Sequence, residues 1–205
     1  MKSTPLPPTF FDRDPRVVAR ALLGKILIKR DASGLRSGRI VETEAYLGAG
    51  DAAAHAAAGE TARNAVLFGP PGRAYVYLSY GLHFCLNVSC LAPGDAGCVL
   101  LRAVEPLAGF AAMARARGLK FTKKDFDDPQ RLRLLASGPA RLCSAFGITR
   151  AAYNGCEITA QGSNLWIADD GYRPRKIAFS SRIGITKSAE LPLRFFIEGN
   201  AFVSR

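Results

Sequence analysis

The sequence predicts a single α+β domain, residues 1–205, with a largely antiparallel, curved β-sheet flanked by helices. Three observations carry that expectation. Runs with strand period cluster between helix-like stretches and return near the end of the chain. A length of 205 residues with 48% hydrophobic and 22% charged content suits one core of ordinary size. No internal repeat, linker or low-complexity tract divides the chain.

The elements follow in order. Asp14-Pro15, then Val17, Val18, Ala21, Leu22, Leu23 and Gly24, reads as a capped helix. Residues 25–30 alternate as a strand, and Asp31 to Gly34 form a turn. A second strand begins at Arg39, with the preceding strand as its partner. Residues 49–62 are alanine-rich and read as a loop with a short helical piece. Three further strands are expected over 73–80, 82–90 and 97–105, the last two joined by the Pro93-Gly94-Asp95 turn. Helical pattern follows over 108–117 and over 128–146 around Gly138-Pro139, and strands resume at 164–168, 176–181 and 194–197.

The strand from Arg39 to Leu47 carries the first chemical signal. Alternation places Val41, Thr43 and Ala45 on one face and Glu42, Glu44 and Tyr46 on the other. Carboxylates seldom sit on a buried sheet without a partner or a task, because desolvating the charged form is costly. The alternative is a half-exposed strand whose glutamates face water. A second signal is the run Tyr75-Val76-Tyr77, with Tyr80 at the strand end beside Gly81. Tyrosines favour strands for ordinary packing reasons. In a very basic protein, rings beside carboxylates also suit base stacking, and a tyrosine at a sharp turn suits a wedge between bases. Asn87 and Arg102 interrupt apolar strands; each is either a satisfied structural residue or a reader of a base edge, phosphate or carboxylate.

A net charge of +11 favours polyanions, nucleic acid first. The basic residues are dispersed, so any nucleic-acid site is a folded surface. Five cysteines without a CxxC pair and only two histidines argue against a zinc site and for reduced core thiols. Residues Met1 to Pro8 lack a signal-peptide core and no apolar run is long enough to span a bilayer, so an intracellular, cytoplasmic protein without membrane contact is expected.

Taken together, these segments resemble the alkyladenine (3-methyladenine) DNA glycosylases of the mammalian type, a family that also occurs in bacteria. The resemblance spans nearly the whole chain. It rests on the stretch from Arg39 to Gly48, on Thr61 to Asn64, on Tyr75 to Tyr77 and on Tyr80-Gly81. It continues through Phe84 to Val88, Cys98 to Arg102, Glu105-Pro106, Ser137 to Pro139, Leu142-Cys143, Arg182 to Gly184 and Pro192 to Phe195. The resemblance implies that Glu44 activates water, that Tyr46 and His55 form one wall of a base pocket, and that Tyr77 stacks on the opposite face of the base. It implies Tyr80 as the intercalating wedge and Asn87 as the group that excludes guanine. Arg102 would help position the water and the nucleotide backbone, and the main-chain oxygen of Ile183 would help hold that water. Glu42 becomes a supporting or solvated residue.

The same resemblance implies a nucleoid-associated monomer that acts on double-stranded DNA containing damaged purines, without metal or cofactor. His83, Leu82 and a slightly shortened segment after His55 depart from the vertebrate pattern, which bears on substrate range and DNA search. Lys2, Lys25 and Lys29 are the only lysines of the first half and lie outside these blocks, so neither a Schiff-base mechanism nor strand cleavage is expected. Two rivals remain at this stage: a metal-dependent nuclease using Glu42, Glu44 and Asp51, and a non-catalytic binder of distorted DNA.

Overall fold

Strand β2, Gly34–Tyr46, is the hub of the architecture. In this computed structural model, which describes residues 4–204, it pairs with β5 (Gly97–Ala108) along one edge. Its other edge is shared by two partners. Strand β1 (Ile26–Asp31) takes the first half and β8 (Arg194–Ile197) takes Glu42, Thr43 and Glu44. Strands β3 (Ala74–Ser79) and β4 (His83–Cys90) extend the sheet beyond β5; β6 (Leu165–Ala168) lies outside β1, and β7 (Ile177–Ser180) outside β8. All pairings are antiparallel, giving a curved half-barrel.

Helices complete the layer. The first two are α1 (Pro8–Phe11) and α2 (Pro15–Leu22), the latter capped by the Asp14 carboxylate at 2.8 Å from the Arg16 N–H. Then come α3 (Phe110–Ala116), α4 (Pro129–Ala136), α5 (Pro139–Phe146) and α6 (Arg150–Tyr153). Helix α2 packs on β2, and α4 and α5 pack on β4 and β5. Val41, Ala45, Val76, Val88 and Leu101 join Val18, Leu22, Leu135 and Leu142 in one buried apolar cluster. The intervening residues of the same strands face the other way. There Tyr75 and Cys98 are buried with Ala56 and Leu67, against the partly exposed Tyr46 and Tyr77.

Several elements differ from expectation. Strand β2 starts at Gly34 rather than Arg39, because the turn is tight enough for residues 34–39 to pair fully with β1. Residues 49–62 form turns only, and the helical piece is a 3-10 turn at Ala65–Phe68. The 128–146 region is two helices, since Gly138 adopts φ of +121° and breaks the run. The four-residue helices α1 and α6 carry too little periodicity to be read from sequence. The thiols of Cys85, Cys90, Cys98 and Cys143 are free and buried, as expected, whereas Cys156 is half-buried. Among the described residues no helix is long and apolar enough to cross a membrane. Met1–Ser3, part of the segment read as lacking a signal-peptide core, and Arg205 lie outside the described residues.

Candidate active site

Both glutamates of β2 are 0% exposed, which overturns the reading of a half-exposed strand facing water. The pairing explains why: at Glu42 and Glu44 the strand is hydrogen-bonded on both edges, so the segment is central to the sheet. Arg102 reaches both carboxylates because the ladder slips beside it. The register passes from Glu42–Ala103 to Thr43–Leu101, skipping Arg102, whose carbonyl accepts instead from the Gly138 N–H at 3.0 Å. Such a bulge re-aims the side chain of the extra residue. Here Arg102 Nε donates to Glu42 Oε1 at 2.8 Å and Nη1 lies 3.1 Å from Glu44 Oε1.

The two carboxylates have different surroundings. Burial would raise Glu42, but Arg102, Arg194 and the Ser204 donors outweigh it and hold its pKa below the ordinary value. Burial dominates at Glu44 and pushes its pKa up, against Arg102, the Ile183 N–H and the Tyr46 hydroxyl. Glu44 Oε1 accepts from the Ile183 N–H at 2.8 Å, and Oε2 from the Tyr46 hydroxyl at 3.0 Å. Two neighbouring carboxyls whose environments drive their pKa values apart are a pattern of acid–base sites.

Tyr46, Arg102 and Ile183, the three residues that hydrogen-bond or pair with Glu44, line a cavity of about 430 Å³. Glu44 itself lies behind that wall. His55, Tyr75, Tyr77, Asn87, Cys98 and Tyr80 line the same cavity, whose size falls in the ordinary range of small-molecule sites. Asn87 is buried and donates to the Tyr75 carbonyl at 3.3 Å. His55 Nδ1 sits 3.0 Å from the Tyr75 hydroxyl, and its ring meets Tyr77 edge-on at 4.4 Å between centroids. A planar base between two rings needs them on the order of 7 Å apart, two contact distances. His55 and Tyr77 must therefore separate before one could stack between them. Burial, with Arg63 nearby, keeps the His55 pKa below its ordinary value, so the imidazole is neutral at pH 7.

At the rim, Tyr80 is 86% exposed and Leu82 75%. Tyr80 and Gly81 both have positive φ, +50° and +70°, and the Leu82 N–H donates to the Ser79 carbonyl at 3.0 Å. These values place Tyr80 and Gly81 at the corner of a tight turn between β3 and β4, which projects the tyrosine ring into solvent. The segment after β7 is fixed by Arg182, whose guanidinium meets Asp51 at 2.6 and 2.7 Å with both side chains fully buried. A Cβ at Gly48 would collide with the Ala96 carbonyl, so the chain leaving β2 passes that point only as glycine.

The model of the methylpurine-DNA glycosylase (MPG) family matches residues 9–201. A protein of Koribacter versatilis is 57% identical over 200 residues, covering 98% of this chain and 93% of its own, and one of Mesorhizobium japonicum is 47% identical, covering 93% and 86%. A protein of Methanoculleus marisnigri is 44% identical with 98% of both chains covered. All three are described as candidate 3-methyladenine DNA glycosylases. The chain belongs to the methylpurine-DNA glycosylase family.

Within this family member, seven of the eight residues singled out from sequence line the cavity, and Glu44 sits directly behind it. Ile183 donates its amide N–H to Glu44 Oε1. Other participants lie outside the eight. Arg63, whose guanidinium lies 5.8 Å from the Tyr77 ring centre, and Arg182 both fall inside family blocks and could have been found there. Tyr75 is legible in the sequence as an aromatic, whereas its contact with His55 depends on the fold. Ser204 gave no signal, since its contact with Glu42 spans 162 positions. The carboxylates do not form a metal set: Asp51 is engaged by Arg182 and Glu42 by two arginines, and among the described residues no three His, Cys, Asp or Glu side chains converge.

Proposed function

We propose that this protein is a monofunctional DNA glycosylase of base-excision repair that hydrolyses the N-glycosidic bond of damaged purines in double-stranded DNA. The observation that carries this reading is a buried, pKa-raised Glu44 paired with Arg102 behind an aromatic cavity. Glu44 accepts a proton from water as the water oxygen bonds to C1′ of the sugar. The C1′–N bond breaks, its electron pair leaves with the base, and an abasic site remains. As positive charge develops on the sugar, the carboxylate also stabilises the oxocarbenium-like transition state. A purine alkylated at N3 or N7 already carries positive charge and departs readily; hypoxanthine or ethenoadenine needs protonation first.

Two of the carboxylate's roughly four lone-pair sites accept neutral donors and a third faces Arg102, which leaves about one for a water. That water reaches Glu44 when the cavity wall parts, as it must for His55 and Tyr77 to admit a base. Tyr46 and His55 then form one wall, Tyr77 the other, and Asn87 crowds the 2-amino group of guanine. Tyr80 fills the gap left in the duplex. Unstacking costs a few kcal/mol, least for damaged or mispaired bases. Among the described residues no lysine lines the cavity, which supports water rather than an amine as nucleophile. The net charge of +11 supplies sequence-independent DNA affinity to an intracellular monomer.

The test is base release from duplexes carrying 3-methyladenine, 7-methylguanine, hypoxanthine or ethenoadenine, in the presence of chelator. Wild type is expected to release at least one of these bases without cutting the strand. Glu44→Gln is expected to lose release and keep lesion binding. Release by Glu44→Gln at the wild-type rate would overturn the role of Glu44, and a requirement for divalent metal would favour a nuclease.

A further inference from the structure

Glu42 does not line the cavity, yet it is one of the most fully engaged side chains in the protein. Its Oε1 accepts from Arg102 Nε at 2.8 Å, Arg194 Nε at 2.7 Å and Ser204 Oγ at 2.9 Å. Its Oε2 accepts from the Ser204 N–H at 2.6 Å. Arg102 in turn donates through Nη2 to Ser204 Oγ at 3.3 Å, leaving Nη1 toward Glu44. A guanidinium is a rigid planar fork. Once Nε and Nη2 are tied to Glu42 and Ser204, the direction of Nη1 is determined.

Ser204 is itself held from several sides. Its carbonyl accepts from Arg194 Nη2 at 3.2 Å, that of Val203 from Arg133 Nη2 at 2.9 Å, and that of Phe202 from Ser137 Oγ at 2.6 Å, while the Phe202 ring enters the main core. Stability alone does not account for this polar cluster, because well-packed apolar residues hold such positions at least as well as buried ion pairs. We propose that Glu42 and Ser204 are positioning residues, a clamp that aims the Arg102 guanidinium at Glu44 without touching the substrate. The proposal rests on the reading of Glu44 as the water-activating group.

Two isosteric or near-isosteric variants test it. Glu42→Gln keeps size and removes charge; Ser204→Ala removes the hydroxyl and keeps the main-chain bond to Glu42. Each is assayed by single-turnover base release, with enzyme in excess over a duplex bearing the lesion that wild type releases fastest. Rates are corrected for folded fraction, measured across pH, and compared with affinity for the same duplex. A misaimed catalytic group costs up to about 100-fold. Glu42→Gln is expected to slow release by roughly 10–100-fold and Ser204→Ala by less, with duplex affinity within about threefold of wild type in both.

The acid limb of the pH profile separates positioning from bulk stability. Glu44 is faced by Glu42 and Tyr46 on β2, Arg102 on β5, Cys85 on β4, and Arg182 with the Ile183 N–H before β8, while Arg194 on β8 faces Glu42. Glu42→Gln removes a like charge and leaves Glu44 as the remaining carboxylate against Arg102, so the limb is expected to move to lower pH. Ser204→Ala keeps the formal charges but loosens Arg102 from Glu44, so its limb is expected to move the opposite way, to higher pH. Wild-type rates and an unmoved limb in both variants would overturn the clamp. Should Glu42→Gln fail to fold, a wild-type rate for Ser204→Ala overturns it alone. Release by Glu44→Gln would instead overturn the Glu44 reading, and the clamp with it.

Discussion

The pair Asp51–Arg182 is where the site and the fold depend on one another most directly, and Asp51→Asn is the perturbation that exposes this. Both side chains are fully buried. Asp51 accepts from Arg182 at 2.6 and 2.7 Å, from the Leu47 N–H at 3.1 Å and from the Ala53 N–H at 3.2 Å. Asparagine retains one acceptor and turns two donors toward those donors, leaving a buried guanidinium uncompensated. Breaking a buried pair in this way costs about 3–5 kcal/mol. For a chain of this size each kcal/mol shifts Tm by roughly 2–4 °C, so a fall of about 6–20 °C is expected.

The pH dependence of that loss has a definite sign. Burial would raise Asp51, but Arg182 and the Leu47 and Ala53 N–H groups outweigh it and lower its pKa. A lowered carboxylate pKa contributes stability that is full above the unfolded value, about 3.9, and is lost as pH falls through the folded one. The difference between Asp51→Asn and wild type is therefore expected to be constant from pH 5 to 8 and to shrink below about pH 4. Calorimetry or denaturant unfolding at several pH values reads it. A Tm within about 2 °C of wild type at pH 7 would refute the reasoning, since it would mean that Arg182 finds other compensation.

Two further outcomes are expected. Glu44, raised mainly by burial, must be ionised to take a proton, so single-turnover base release should fall on the acid side with an apparent pKa above the usual glutamate value; a limb at or below about 4.3 would contradict this. Tyr80 is a bulky residue held at φ +50°, a conformation that costs L-residues about 1–2 kcal/mol and glycine nothing. Tyr80→Gly should therefore leave Tm unchanged or slightly higher while weakening capture of the flipped state; unchanged fluorescence from a flipped-base reporter in the duplex would count against the wedge.

Local signals in the sequence make much of this structure legible. The order of strands and helices followed from alternation and turn residues, and Asp14-Pro15 marked a helix start that the Asp14 cap realises. The face shared by Glu42, Glu44 and Tyr46 also followed from alternation. What sequence could not supply was long-range. That β2 is paired by β8 beside Glu44, making the segment central, depends on a strand about 150 positions away. The bulge that aims Arg102 is a property of two registers, with no glycine or proline at the skipped position to announce it. The contact between Ser204 and Glu42 belongs to the same class. Sequence alone does not separate supporting from solvated roles for Glu42; its complete burial does.

The inequality of the two glutamates follows from donor supply, with no need to appeal to a motif. Counting hydrogen bonds, Glu42 meets four donors and is full, with two arginines and Ser204 around it. Glu44 meets Arg102, the Ile183 N–H and the Tyr46 hydroxyl, and shares its ion-pair partner Arg102 with Glu42. The better supplied group is held ionised below the ordinary range, and the less supplied one is pushed up toward the range in which a base can take and release a proton. Moving Ser204 away from Glu42 would draw Arg102 further onto Glu42 and away from Glu44. The segment at residues 200–204 thus acts on the chemistry through the division of a single guanidinium between two carboxylates.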